Sequence, residues 1–161
     1  MRMARKKILI VDYDSKSLEA LAQLFGESDF EIIKAKDGLT GWDMYKAERP
    51  DLVILEAMLP RFHGFDLARR IHQGSRGAVP VVVVTGVYRG SQYRNEALTS
   101  FGASDFFEKP WDGQKLLSSV QNLLREKAEF GLDLPHPESV IAFLQNRLSP
   151  NDDGGERSPE N

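Results

Sequence analysis

Cysteine is absent from this 161-residue chain. That excludes a disulfide framework, a thiol nucleophile and a thiolate metal site. Long apolar runs are missing too. After the basic start Met1–Lys7 the apolar stretch extends only from Ile8 to Val11, too short for the core of a signal peptide. Nothing approaches the ~20 apolar residues of a membrane span, so no membrane insertion and a cytoplasmic location are expected. Histidine is scarce: His63, His72 and His136 stand apart, without metal-ligand spacing, and His63 reads as a surface loop residue. A large excess of charge of either sign is also lacking, the net charge being -3.

The distribution of that charge is more informative. From Glu126 onward, eight acidic residues face three basic ones, a net -5 that leaves +2 for the preceding part. An acidic tail repels phosphate backbones and no basic stripe offsets it, so nucleic acid is not an expected partner. Hydrophobic residues at 41% and charged residues at 28% are ordinary for a globular chain. The length accommodates one domain with a sizeable core plus an appendage.

Short apolar runs alternate with segments of helical spacing. Strands are predicted at Lys7–Asp12, Phe30–Ala35, Leu52–Leu55, Val81–Thr85 and Asp105–Glu108. Helices are predicted at Ser15–Phe25, Leu39–Ala47, Phe65–His72, Gln92–Phe101 and Asp112–Ala128, with Asp14 or Ser15 capping the first and Asp112 the last. Several strands are apolar throughout, as happens when helices cover both faces of a sheet. Five βα units in series imply an α/β fold with a parallel sheet and right-handed crossovers. This domain is expected over residues 5–129. A linker and a short amphipathic helix follow over 130–148; its apolar side either packs back on the domain or meets a partner. Residues 149–161 read as a disordered acidic tail.

The frame Ile8-Leu9-Ile10-Val11-Asp12, Asp51-Leu52-Val53-Ile54-Leu55-Glu56 with Pro60 and Gly64 beyond it, Val84-Thr85 and Lys109-Pro110 resembles the receiver domain of two-component response regulators. The resemblance covers roughly Lys6 to Leu124. It implies a flavodoxin-like doubly wound sheet in the order 2-1-3-4-5, helices on both faces, and a cis Lys109–Pro110 bond. Ligands in such sheets gather at the carboxyl ends of the strands beside the switch in strand order. Asp12, Glu56, Thr85 and Lys109 would therefore share one crevice.

In the family, an aspartate at the position of Glu56 attacks phosphorus while Mg²⁺ neutralises the phosphoryl oxygens. A lysine pairs with the phosphoryl group, a Thr or Ser hydroxyl donates to it, and an aromatic residue on the fifth strand turns inward. Those roles fall here to Glu56, Lys109, Thr85 and Phe106. Without aspartyl-phosphate chemistry, Phe106 reduces to a buried strand residue.

Two departures stand out. Glu56 places its carboxylate roughly 1.5 Å further out than aspartate would, and misplacement of ~1 Å can cost ~10²-fold in rate. Tyr13 replaces the second acid of the family's acidic pair, and a phenol is a poor ligand for Mg²⁺. Asp12, Glu56 and the Met58 backbone remain as metal candidates for a weak Mg²⁺ site or none; the neighbouring Asp14 reads as a helix cap. No other cofactor is implied.

The longer Glu56 side chain can instead pair with Lys109 and accept a hydrogen bond from Thr85, holding the pocket as a phosphoryl group would. An inert ion pair in a decayed site is the plainer possibility. The expectation is thus an atypical receiver, or pseudo-receiver: a phosphorylation-independent interaction module, not an enzyme. It would be a monomer or weak dimer and act on a signalling partner such as a histidine kinase or a downstream effector. The alternative is a phosphoaccepting single-domain response regulator, with Glu56 or a neighbouring acid in a weakened Mg²⁺-dependent site. No DNA-binding or catalytic output domain is apparent in the sequence.

Two further features belong to the expected output face. Trp111 is expected to pack beside the pocket. The segment Gly86–Arg94 carries Tyr88, Arg89, Tyr93 and Arg94, residue types enriched at binding hot spots. Its tyrosines either recognise a partner or cover the end of the sheet.

Overall fold

The computed structural model describes residues 5–133. The chain divides into two compact units, Met1–Arg125 and Glu126–Asn161, and the sheet and the site lie in the first. Five strands, β1 (Lys7–Val11), β2 (Glu31–Ala35), β3 (Leu52–Leu55), β4 (Val81–Thr85) and β5 (Asp105–Glu108), form one sheet in the order β2-β1-β3-β4-β5. Every pairing is parallel, with Leu9 opposite both Ile33 and Val53. The helices are α1 (Ser15–Gly26), α2 (Gly38–Glu48), α3 (Gly64–Ser75), α4 (Ser91–Ser100) and α5 (Gly113–Asp133).

The two-residue strand period sorts the core into two halves. Leu9, Val11, Val53, Leu55, Val81 and Val83 face the side covered by α2, α3 and α4, where Phe65, Leu67, Ile71 and Ala97 meet them. Ile8, Ile10, Leu52, Ile54, Val82 and Val84 face α1 and α5, against Leu21, Phe25, Leu116 and Val120. This explains why the central strands read as unbroken apolar runs. Each fully buried Ile or Leu contributes about 1.5–3 kcal/mol, so the three inner strands form a rigid base for whatever sits at their carboxyl ends.

Local signals set the helix starts. Asp14 accepts from the Ser17 amide at 3.1 Å and is the N-cap of α1, Ser15 being its first residue. The Asp112 carboxylate accepts from the Gln114 and Lys115 amides at the start of α5. Asp37, which sequence reading passed over, caps α2 by accepting from the Thr40 amide at 2.7 Å and its hydroxyl at 2.9 Å. The Thr40 amide bond is the leading reason that its carboxyl group titrates below the usual range.

α5 runs to Asp133, four residues into the stretch expected as a linker, so Gly131 does not end the helix. The remaining linker, the amphipathic helix placed before Leu148 and the acidic tail lie outside the described residues.

Candidate functional site

Among the described residues, the buried polar or charged side chains are Asp12, Glu56 and Thr85. Each stands at the carboxyl end of a strand: Asp12 follows β1, Glu56 follows β3 and Thr85 ends β4. The Glu56 amide donates to the Val11 carbonyl at 2.9 Å, extending the β1–β3 ladder by one bond and fixing where the side chain leaves the sheet.

Lys109 reaches this group from beyond β5. Its ammonium lies 2.8 Å from Asp12 Oδ2 and 2.9 Å from Glu56 Oε1, so one cation joins two buried carboxylates. Burial alone would depress the Lys109 pKa. The hydrogen bonds and charges of Asp12 and Glu56 outweigh burial and raise it above its ordinary value. The Lys109–Pro110 bond is cis, as the resemblance implies.

Glu56 has further partners. Its Oε1 also accepts from the Gly86 amide at 3.4 Å, and its Oε2 accepts from the Met58 amide at 3.1 Å. Three donors from three segments, after β3, after β4 and after β5, thus converge on one carboxylate. The expected Thr85 bond to Glu56 is not made. The Thr85 Oγ1 turns to its own loop and accepts from the Val87 and Tyr88 amides at 3.2 and 3.5 Å, while the Gly86 backbone takes the place assigned to the hydroxyl. Side-chain types cannot reveal such backbone donors, because every residue but proline carries one.

Gly64 makes the position of Glu56 possible. A Cβ there would lie 2.2 Å from the Glu56 carbonyl oxygen and 2.7 Å from the Ala57 Cα, both unyielding backbone atoms. The start of α3 therefore lies directly against the turn that follows Glu56. His63 holds the same junction. Its Nδ1 accepts from the Phe65 amide at 3.2 Å as the α3 cap, and its Nε2 lies 3.1 Å from the Tyr88 hydroxyl. This residue was expected merely to decorate the surface; it ties the loop after β3 to the loop after β4.

The other predicted residues are placed as follows. Tyr88 and Tyr93 pack against each other at 5.0 Å between ring centroids and are partly buried on the α3–α4 half of the core. Phe106 is buried in that same half. Trp111 packs into the α1–α5 half, beside Gly113 at the start of α5. Arg89 pairs with Glu108 at 3.2 Å, and Arg94 donates to the Phe106 carbonyl at 2.8 Å. The loop that looked available for recognition is therefore engaged within the domain through both its tyrosines and both its arginines. Tyr13, in contrast, projects into solvent, and Asp14 is occupied as the α1 cap.

This fold and this arrangement of strand-end residues coincide with a match of the response regulator receiver domain model to residues 8–121. The chain belongs to the response regulator receiver family. It is a receiver domain of two-component signalling, a family whose members work through contacts with histidine kinases and effectors. The "Probable transcriptional regulatory protein SilR" of Salmonella typhimurium is 38% identical to this receiver over 120 residues, 74% of this chain and 51% of that protein. Response regulator MprA of Mycobacterium sp. (strain KMS) is 30% identical over 145 residues, 89% of this chain and 60% of its own length. The chain thus spans roughly half of the curated relatives it matches.

Among solved structures, the signal receiver domain of an HD domain-containing protein from Pseudomonas fluorescens Pf-5 aligns with a TM-score of 0.71 at 28% identity, covering 78% of this chain and 99% of that one. The BeF3-activated receiver domain of RstA from Klebsiella pneumoniae aligns at 0.69 and 28%, covering 74% and 99%. Among the described residues, no helix of this receiver is long and apolar enough to cross a membrane.

Proposed function

We propose that this receiver is a phosphorylation-independent signalling module in which the Glu56 carboxylate occupies the phosphate position of its own pocket. The observation that carries the reading is the set of donors on Glu56: Lys109 and the Gly86 amide on one oxygen, the Met58 amide on the other. A phosphoryl group seated above an aspartate would draw on donors of this kind, and the longer side chain meets them without phosphate. The imitation is electrostatically partial, since a carboxylate carries one negative charge and a phosphoryl group about -1.5 to -2.

The same contacts make Glu56 a poor nucleophile. In-line attack would require freeing an oxygen from charge-assisted or amide hydrogen bonds, those to charged groups being worth about 1.5–3 kcal/mol each. The donor set also suits an ammonium better than Mg²⁺. Asp12 and Glu56 each give an oxygen to Lys109, Tyr13 points away, and no group of three or more His, Cys, Asp or Glu gathers among the described residues. Mg²⁺ favours carboxylates and water in octahedral geometry, and here Lys109 already takes one oxygen of each acid. Output would then pass through contact with a partner protein, with no turnover of phosphate.

Incubation of the full chain with acetyl phosphate and Mg²⁺, followed by intact mass, tests this. An unchanged mass is expected, and stoichiometric addition of one phosphoryl group at Glu56 would overturn it.

A further inference from the structure

At the amino end of the sheet, opposite the Glu56 pocket, lies a cavity of about 360 Å³ lined by Tyr45, Lys46, Arg49, Pro50 and Val79. That volume falls within the range of small-molecule sites, about 300–1,000 Å³. Pro50 stands before β3 and Val79 before β4, so the cavity opens where α2 and α3 return to the sheet. These two residues supply an apolar floor. Ser75, at the end of α3, fixes two of the walls. Its hydroxyl oxygen accepts from the Val79 amide at 3.2 Å and bonds the hydroxyl of Tyr45. The Tyr45 ring is partly buried and stacks on Trp42 at 5.3 Å and 22°, so the aromatic wall is held from two sides.

The charged groups of this lining are Lys46 and Arg49, with no acid among them. The neighbouring acids keep their charge but are directed elsewhere. Glu48 meets the Lys7 ammonium at 3.5 Å, Asp51 accepts from the Lys7 amide at 2.8 Å, and Asp43 approaches Lys46 only to 4.0 Å. The Arg49 side chain pairs with no carboxylate among the described residues. Its backbone is as telling. Arg49 is the C-cap of α2 with φ 50° and ψ 62°, the left-handed region that favours glycine. A cation at a helix end complements the dipole, but Lys46 in the last turn already does so without backbone strain. The dipole therefore does not account for Arg49, and the cavity beside it does.

We propose that this cavity binds a small aromatic carboxylate, with its ring over Pro50 and Val79 beside Tyr45 and its carboxylate between Lys46 and Arg49. The planar guanidinium fork matches both oxygens of a carboxylate, and the lysine adds a second positive charge. The ligand ring extends the Trp42–Tyr45 stack by one member. A neutral aromatic would leave both cations unserved, and a small aliphatic anion would leave the apolar floor uncovered. The site stands apart from Glu56 and holds whether or not that residue fills the phosphate position.

The test is an amide NMR titration of the full chain with benzoate, acetate and benzyl alcohol in separate series. Benzoate is expected to shift the amides of Tyr45, Lys46, Arg49 and Val79 saturably at millimolar concentration. Acetate, which lacks the ring, and benzyl alcohol, which lacks the charge, are expected to bind more weakly on the order of tenfold. Arg49→Gly separates binding from folding, because glycine suits the left-handed position while the guanidinium is lost. Its thermal midpoint is expected to be no lower than wild type, with benzoate weakened on the order of tenfold. Lys46→Gln, at an exposed position, is expected to weaken benzoate severalfold with the fold intact. Absence of saturable benzoate shifts, or shifts confined to the residues around Glu56, would overturn the proposal. So would equal binding of acetate, which would mark general anion screening, or of benzyl alcohol, which would mark an apolar cleft alone. Undiminished benzoate binding in both variants would overturn it as well.

Discussion

Glu56 and Lys109 meet at 2.9 Å, an ion pair between a buried carboxylate at the end of β3 and an ammonium that reaches it from beyond β5. Asp12 takes the other side of the same ammonium at 2.8 Å, so removing the cation would leave two buried carboxylates facing each other. Lys109→Met is therefore expected to destabilise the domain by about 3–5 kcal/mol, the cost of an uncompensated buried charge, read from chemical denaturation. The pH sign follows from the raised Lys109 pKa. Its stabilisation is fully present below the unfolded-state value of about 10.4 and is lost as pH rises through the higher folded-state value. Wild type should lose stability on that alkaline limb, and Lys109→Met should lack that component.

Substitutions at Tyr13 and Glu56 test the two departures separately. Glu56→Asp alone shortens the carboxylate by roughly 1.5 Å, which breaks its reach to the Gly86 amide but restores no metal ligand. It is expected to remain unphosphorylated by acetyl phosphate. The double variant Tyr13→Asp/Glu56→Asp is expected to gain one phosphoryl group in a Mg²⁺-dependent manner, measured by intact mass with and without chelator. Phosphorylation of the single variant would show that Tyr13 does not limit the site.

Gly64 links the start of α3 to the backbone of Glu56. Because a Cβ would lie 2.2 Å from the Glu56 carbonyl oxygen, Gly64→Ala must push the turn at Ala57 and Met58 aside. A loss on the order of 1–3 kcal/mol is expected from this overpacking, together with faster hydrogen exchange at the Met58 amide. Unchanged exchange there would show that the turn adapts without disturbing Glu56.

Asp37 gives a prediction at acid pH. Its carboxyl pKa is lowered, so its stabilisation is present above the unfolded-state value near 3.9 and is lost as pH falls through the lower folded-state value. Asp37→Ala is expected to cost about 1 kcal/mol as a lost N-cap. Acid titration of stability should show a correspondingly flatter limb in the variant.

The strands were legible because three of them are buried on both faces and read as uninterrupted apolar runs, and the pocket residues because each stands at a strand end. Glu56, Asp12 and Lys109 therefore come together as expected. Thr85 reaches the same end of the sheet, but its hydroxyl serves the Val87 and Tyr88 amides. The real donors to Glu56 include the Gly86 and Met58 amides, which leave no trace in side-chain type. His63 was misread because its two partners, the Phe65 amide and Tyr88, depend on a loop geometry that spacing does not encode. Asp37-Gly38-Leu39-Thr40 did hold a cap signal that the apolar pattern of α2 overshadowed.

The most direct measurement follows the Gly86 and Met58 amides by NMR while beryllofluoride, a phosphoryl mimic, and Mg²⁺ are added to the full chain. With the Glu56 carboxylate already bonded to both amides, their peaks are expected to stay in place, whereas in Tyr13→Asp/Glu56→Asp they should move to a new bound position. Saturable movement of both peaks in the wild-type chain at millimolar additions would contradict the assignment of Glu56 as the occupant of the phosphate position.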